Sequence, residues 1–145
     1  MNKFILINKS ILIDTGFWIA LYNKRDEHHY KAVNLADSII GNTILIPWPT
    51  LYETINTRFS KNINTIFGFE SFIKNPDTIL INDLNYRDNN LLQVFNSPRS
   101  LSLVDRIIRS ILSDEKFKID YLITFNAGDF IDLCHYRRIE ILNGM

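Results

Sequence analysis

A single cysteine, Cys134, rules out an internal disulfide, as expected of a chain kept in a reducing compartment. The five glycines form neither a phosphate-cradling loop pattern nor a dinucleotide fingerprint. The three histidines, His28, His29 and His135, lack metal-ligand spacing, so no cysteine–histidine zinc site is expected. No apolar run approaches the roughly 20 residues that span a bilayer. The apolar stretch Phe4–Ile7 is too short for a signal-peptide core and has no small-residue cleavage site after it. A cytoplasmic protein without a membrane partner is the expectation. Charge of one sign is also missing: 16 basic residues balance 16 acidic ones. A general polyanion binder is usually basic, so a nucleic-acid partner has to be argued from a site.

Linkers, repeats and Gly/Ser-rich or Pro-rich segments are absent too, and 145 residues suit one domain spanning 1–145. At 46% hydrophobic, that length buries a core without staples. Short β-branched runs recur along the chain: Ile11–Ile13, Ile44–Ile46, Thr78–Ile81, Tyr121–Ile123 and Ile139–Leu142. Such runs suit strands buried on both faces. Helical patterns lie between them, near 16–23, 27–40, 49–60, 62–74, 86–96, 103–117 and 127–133. The alternation predicts an α/β fold with a central, mainly parallel sheet and helices on both faces. Phe4–Ile7 is either an added edge strand or an ordered tail.

Open parallel sheets bind ligands beyond the carboxyl ends of their strands. Asp14 directly follows the first run, and Glu53 is read in the first turn of the helix after the second. Asp129 follows the fourth run, and Asp105 begins the helix leading into it. Helix capping competes as an explanation. Thr50-x-x-Glu53 is a capping-box pattern, and Ser102-x-x-Asp105 and Asn126-x-x-Asp129 resemble one. Asp is short for the back-bond of such a box, which leaves Asp105 and Asp129 less well explained by capping. Asp14 is not needed to stop its strand. The two readings are compatible, because a helix N-terminus can fix a carboxylate that a metal then uses.

Gathered carboxylates repel, and one of them should bind its proton more tightly unless a cation intervenes. Mg²⁺ and Mn²⁺ prefer such hard oxygen donors, and they polarise phosphoryl oxygens and activate water. Arg106 and Arg109 lie beside Asp105, where they either steer phosphates or balance acidic charge. Phe17, Trp18, Trp48 and Tyr52 are either base-stacking or core residues. Thr15 and Thr124 either orient water or a carboxylate, or simply cap a turn.

Four segments carry a resemblance. Ile13-Asp14-Thr15-Gly16-Phe17-Trp18-Ile19-Ala20-Leu21 resembles the opening motif of PIN-domain nucleases, and Thr50-Leu51-Tyr52-Glu53-Thr54 the second. Leu101-Ser102-Leu103-Val104-Asp105 resembles the third, and Leu122-Ile123-Thr124-Phe125-Asn126-Ala127-Gly128-Asp129-Phe130 the fourth. Order and spacing agree over about 120 residues, and the nearest group is the VapC-type toxins of toxin–antitoxin pairs. The resemblance implies a three-layer α/β/α fold and Mg²⁺- or Mn²⁺-dependent endonucleolytic cleavage of RNA leaving 5′-phosphate and 3′-hydroxyl ends. It also implies a cognate antitoxin and a homodimer. It makes Asp14, Glu53, Asp105 and Asp129 the catalytic, metal-binding acids, with Thr124 and Asn126 as supporting polar residues. In some relatives the position of Asn126 is itself acidic. Two other readings stand beside this one. A receiver-like signalling domain also groups acids at strand ends, with Asp83 after the third strand as phosphoacceptor, but Asp14 lacks the acidic neighbour it needs and no lysine follows the last strand. A catalytically inactive PIN-like interaction module is the other.

Overall fold

The structure, a computed structural model, describes residues 6–97 and 101–144. Five strands form one sheet: β1 (Ser10–Ile13), β2 (Thr43–Pro47), β3 (Thr78–Ile81), β4 (Tyr121–Ile123) and β5 (Glu140–Leu142). The order is β3-β2-β1-β4-β5, and every pairing is parallel. The five apolar runs are these strands, to within a residue or two. Burial on both faces holds for the central strands; at the edge, Ile79 of β3 is half exposed. Phe4 and Ile5 lie outside the described residues, while Leu6 and Ile7 are not in a strand.

Among the described residues, eight helices cover the sheet: α1 (Thr15–Tyr22), α2 (His29–Ile39), α3 (Trp48–Thr54), α4 (Thr57–Ser60), α5 (Ile63–Ile73), α6 (Leu84–Asn96), α7 (Leu103–Ser113) and α8 (Ile131–Arg137). Alternate side chains of β1 point to opposite faces. Ile11 and Ile13 join one core with Phe17 and Trp18 of α1, Ile39 of α2 and Phe69 of α5. Leu12 joins the other with Ile107, Ile108 and Ile111 of α7 and Cys134 of α8. The result is the expected three-layer α/β/α arrangement. Cys134 is a packing residue there, its thiol pushed up to about 11 by burial.

Where the helices differ from expectation, polar side chains decide. The helix read over 49–60 is broken after Thr54, because the Asn56 side chain accepts from Phe59 N–H at 3.0 Å and starts α4 instead. Glu53 therefore sits in the last turn of α3, not the first, and Thr50 makes no cap: its buried hydroxyl has no hydrogen-bond partner. The pattern over 103–117 stops at Ser113, where extended Asp114 accepts from Lys116 N–H and from the Tyr86 hydroxyl. The segment read over 127–133 is two pieces, a 3-10 turn (Ala127–Asp129) and then α8.

The strand order also excludes one reading. A receiver domain has order 2-1-3-4-5, with the third strand central. Here β3 is an edge strand, so Asp83, just past its end, lies far to one side of the centre line.

Candidate active site

The chain leaves β1 in opposite directions across the sheet, first through β2 to β3 and later through β4 to β5. The switch point lies between β1 and β4, where a ligand cleft is expected beyond the strand ends. Asp14 and Thr124 are the residues directly after those two strands. Asp14 N–H donates to the Ile123 carbonyl at 3.0 Å, which ties the two ends together.

Asp14 is only 5% exposed. Its Oδ1 accepts from Thr15 N–H at 2.8 Å and its Oδ2 from the Thr124 hydroxyl at 3.0 Å. The same Thr124 oxygen accepts from Asn126 N–H at 3.0 Å. The carboxyl is pushed up from 3.8 to about 6, chiefly by burial. The Thr124 and Thr15 hydrogen bonds oppose that rise, and the negative charges of Asp105 and Glu53 add to it.

Glu53 reaches the site from α3, where its Oε1 accepts from the Thr15 hydroxyl at 2.7 Å. Thr15 thus binds Asp14 through its backbone and Glu53 through its side chain. Asp105 lies in the first turn of α7, whose cap is Ser102. Asp105 N–H donates to Ser102 Oγ at 3.1 Å, and the Ser102 hydroxyl and N–H both stabilise the Asp105 carboxylate in return. The short aspartate does complete a capping box, contrary to the expectation from its length. Its carboxyl is nevertheless raised, first by burial and then by the charge of Asp129. At Asn126-x-x-Asp129 no side-chain cap forms; Asp129 N–H donates to the Asn126 carbonyl at 3.0 Å.

The four acids therefore form a chain of electrostatic neighbours: Glu53 and Asp105 act on Asp14, and Asp129 acts on Asp105. They do not converge to a single point. Among the described residues, no three His, Cys, Asp or Glu side chains stand together so as to hold a metal ion. The donor chemistry does fit a hard divalent cation. All donors are oxygens, and the buried Asp14 is raised partly by its acidic neighbours, a cost that a cation offsets.

Both arginines beside Asp105 hold groups of the protein itself. Arg106 donates to the Leu101 and Ser97 carbonyls. Arg109 forms a two-pronged pair with Asp132, a residue that sequence reading missed. No local signal marks it, since the pair spans 23 residues. Phe17 and Trp18 are core, while Trp48 and Tyr52 are 38% and 74% exposed on α3. His28 stacks on Phe125 at 4.5 Å between ring centroids, and His29 Nδ1 lies 2.7 Å from the Ala20 carbonyl.

A three-layer α/β/α structure with this parallel sheet and acids around its switch point is the PIN-like fold. One solved structure that it matches is VapC20 of Mycobacterium tuberculosis, described as a sarcin-ricin loop cleaving toxin. The TM-score is 0.65 at 18% identity, covering 84% of this chain and 94% of that one. No protein-family model matches the sequence, and no curated protein does.

Proposed function

We propose that this protein is a divalent-metal-dependent endoribonuclease, the toxin of a toxin–antitoxin pair. The observation that carries the reading is Asp14: a carboxylate buried at the switch point, held by Thr15 and Thr124, and raised by the charges of Asp105 and Glu53. Burying an acid among acids costs stability, and such arrangements cluster at functional sites. Asp14, Glu53, Asp105 and Asp129 would hold Mg²⁺ or Mn²⁺. When bound there, the ion would supply positive charge at the scissile phosphate and a more acidic water.

The chain's own residues supply the orientation. Thr124 fixes one Asp14 oxygen while its oxygen receives Asn126 N–H, so the loop after β4 is tied to the end of β1. Thr15 fixes the other Asp14 oxygen and one Glu53 oxygen, so α1 sets the spacing of the two acids. Asn126 contributes through its backbone, and its side chain is free of cap contacts. The role of supporting residue falls to Thr15 and Thr124 first.

An antitoxin partner is supported by an apolar groove of about 340 Å³ beside the acids, formed by Pro49, Leu103, Val104 and Ile107 with Glu53 and Arg87. A groove of that character suits an amphipathic segment that also covers the acids. Homodimerisation is part of the same reading.

Purified protein should cleave RNA with Mg²⁺ or Mn²⁺ and stop in EDTA. Asp14→Asn and Asp105→Asn should each lose at least about 100-fold in rate. Equal cleavage in EDTA, or full activity in the substituted proteins, overturns the metal mechanism. One observation favours a non-catalytic module of the same fold, namely that no three donors converge among the described residues. That reading gains if metal-loaded wild type cuts no RNA.

A further inference from the structure

Arg109 lies one helical turn beyond Asp105 on α7, so the two share a face. Its Nη1 donates to the carbonyl oxygen of Asp129 at 2.8 Å and to Asp132 Oδ1 at 2.8 Å. Its Nη2 donates to Asp132 Oδ2, also at 2.8 Å. Asp129 ends the 3-10 turn and Asp132 is the second residue of α8, so one side chain grips the joint from both sides. Phe130, between them, is fully buried in the core beneath the sheet's second face. Phe130 sets the depth of the joint, and the fork sets its rotation about that anchor.

The charge arrangement matters as much as the geometry. Asp132 takes both prongs of the guanidinium, which leaves the Asp129 carboxylate to act on Asp105. Arg109 hydrogen-bonds Asp129 through its backbone carbonyl, which orients the residue, and its charge also acts on the Asp129 carboxylate. Lysine, a compact point charge, cannot reproduce a planar fork with a third hydrogen bond. Arg106 is committed to the Leu101 and Ser97 carbonyls and points elsewhere.

We infer that Arg109 and Asp132 are positioning residues that fix the joint carrying Asp129 relative to Asp105 on α7. The inference rests on the nuclease reading, in which those two acids bind the same cation. Outer partners of metal ligands commonly change metal affinity about 10- to 100-fold when lost.

The test counts free Mn²⁺ by electron paramagnetic resonance as the ion is titrated into the purified full chain. Arg109→Gln should raise the Mn²⁺ dissociation constant by about tenfold. Arg109→Lys should fall between Gln and wild type. Asp132→Asn should also weaken binding, because the released guanidinium can turn onto the acids. The control is Arg137→Gln on the same helix, which removes the 3.7 Å pair with Glu115 but touches neither Asp129 nor Asp105. It should lower the melting temperature and leave Mn²⁺ affinity unchanged. Wild-type affinity in Arg109→Gln overturns the inference, as does an equal loss in Arg137→Gln, which would mean that α8 is simply loosened. Should Arg109→Gln not fold, full affinity in both Arg109→Lys and Asp132→Asn overturns it instead. A wild type that binds no Mn²⁺ overturns the nuclease reading and this inference together; a wild type that binds, with Arg109→Gln unaffected, overturns this inference alone.

Discussion

Asp14→Asn should make the metal-free protein more stable, and only above a definite pH. The folded protein keeps the Asp14 proton up to about pH 6, whereas the unfolded chain releases it near 3.8. Between those values the folded state binds the extra proton, so stability falls as pH rises. Below the lower value both states are protonated and nothing is lost; above about pH 6 the loss is complete. At about 1.4 kcal/mol per pKa unit, the full loss is about 3 kcal/mol. Asparagine removes that cost but disturbs one contact. Its carbonyl can still accept from Thr15 N–H, whereas its amide faces a Thr124 hydroxyl that now donates to Asp14 and accepts from Asn126. Reversing that bond costs about 1 kcal/mol. The net gain at pH 8 is therefore about 2 kcal/mol, or roughly 5–10 °C in melting temperature. Thermal melts in EDTA at half-unit steps from pH 4 to pH 8 measure it. The two proteins should melt apart at pH 8 and draw together as the pH falls below 6, with the variant slightly less stable at pH 4. Wild type alone should recover stability on adding Mn²⁺. Parallel curves across the whole range, or a variant less stable at pH 8, refute the account of Asp14.

Two further outcomes separate capping from acid clustering and test a helix end. Ser102→Ala removes the α7 cap and should destabilise by about 1 kcal/mol in EDTA, and because it also removes the hydroxyl bond to the Asp105 carboxylate it should trim the Mn²⁺ gain without abolishing it. Asp105→Asn keeps the backbone bond to Ser102 and relieves repulsion from Asp129, so it should be neutral or stabilising in EDTA yet lose the Mn²⁺ gain; melts under both conditions compare the pair. Arg138 ends α8 in the left-handed conformation at φ 57°, so Arg138→Gly should stabilise by about 0.5–1 kcal/mol in urea unfolding, and a loss would show that its side chain is needed more than its backbone is strained.

The strands and most helices were legible because their causes are local. Ile11–Ile13 and Ile44–Ile46, short and β-branched, suit buried strands, and the Ile107, Ile108, Ile111 and Leu112 spacing makes one helix face. The acids at Asp14, Glu53, Asp105 and Asp129 were legible as members of four motifs, although Glu53 was read at the start of its helix and lies in the last turn. Their surroundings were not. A tertiary fold was needed to bring Thr124 to Asp14 across 110 residues and Thr15 to Glu53 across 38. It also settled where local signals competed. Asn56 capping broke one helix pattern, Ser102 and Asp105 completed a box that the aspartate's length argued against, and Arg109 paired with Asp132. Residue identity sets what a side chain can bond to, and apolar period sets which elements form. Which partner a polar group meets depends on strand order and on the seating of one helix against another, and those follow from how all the apolar faces are buried together.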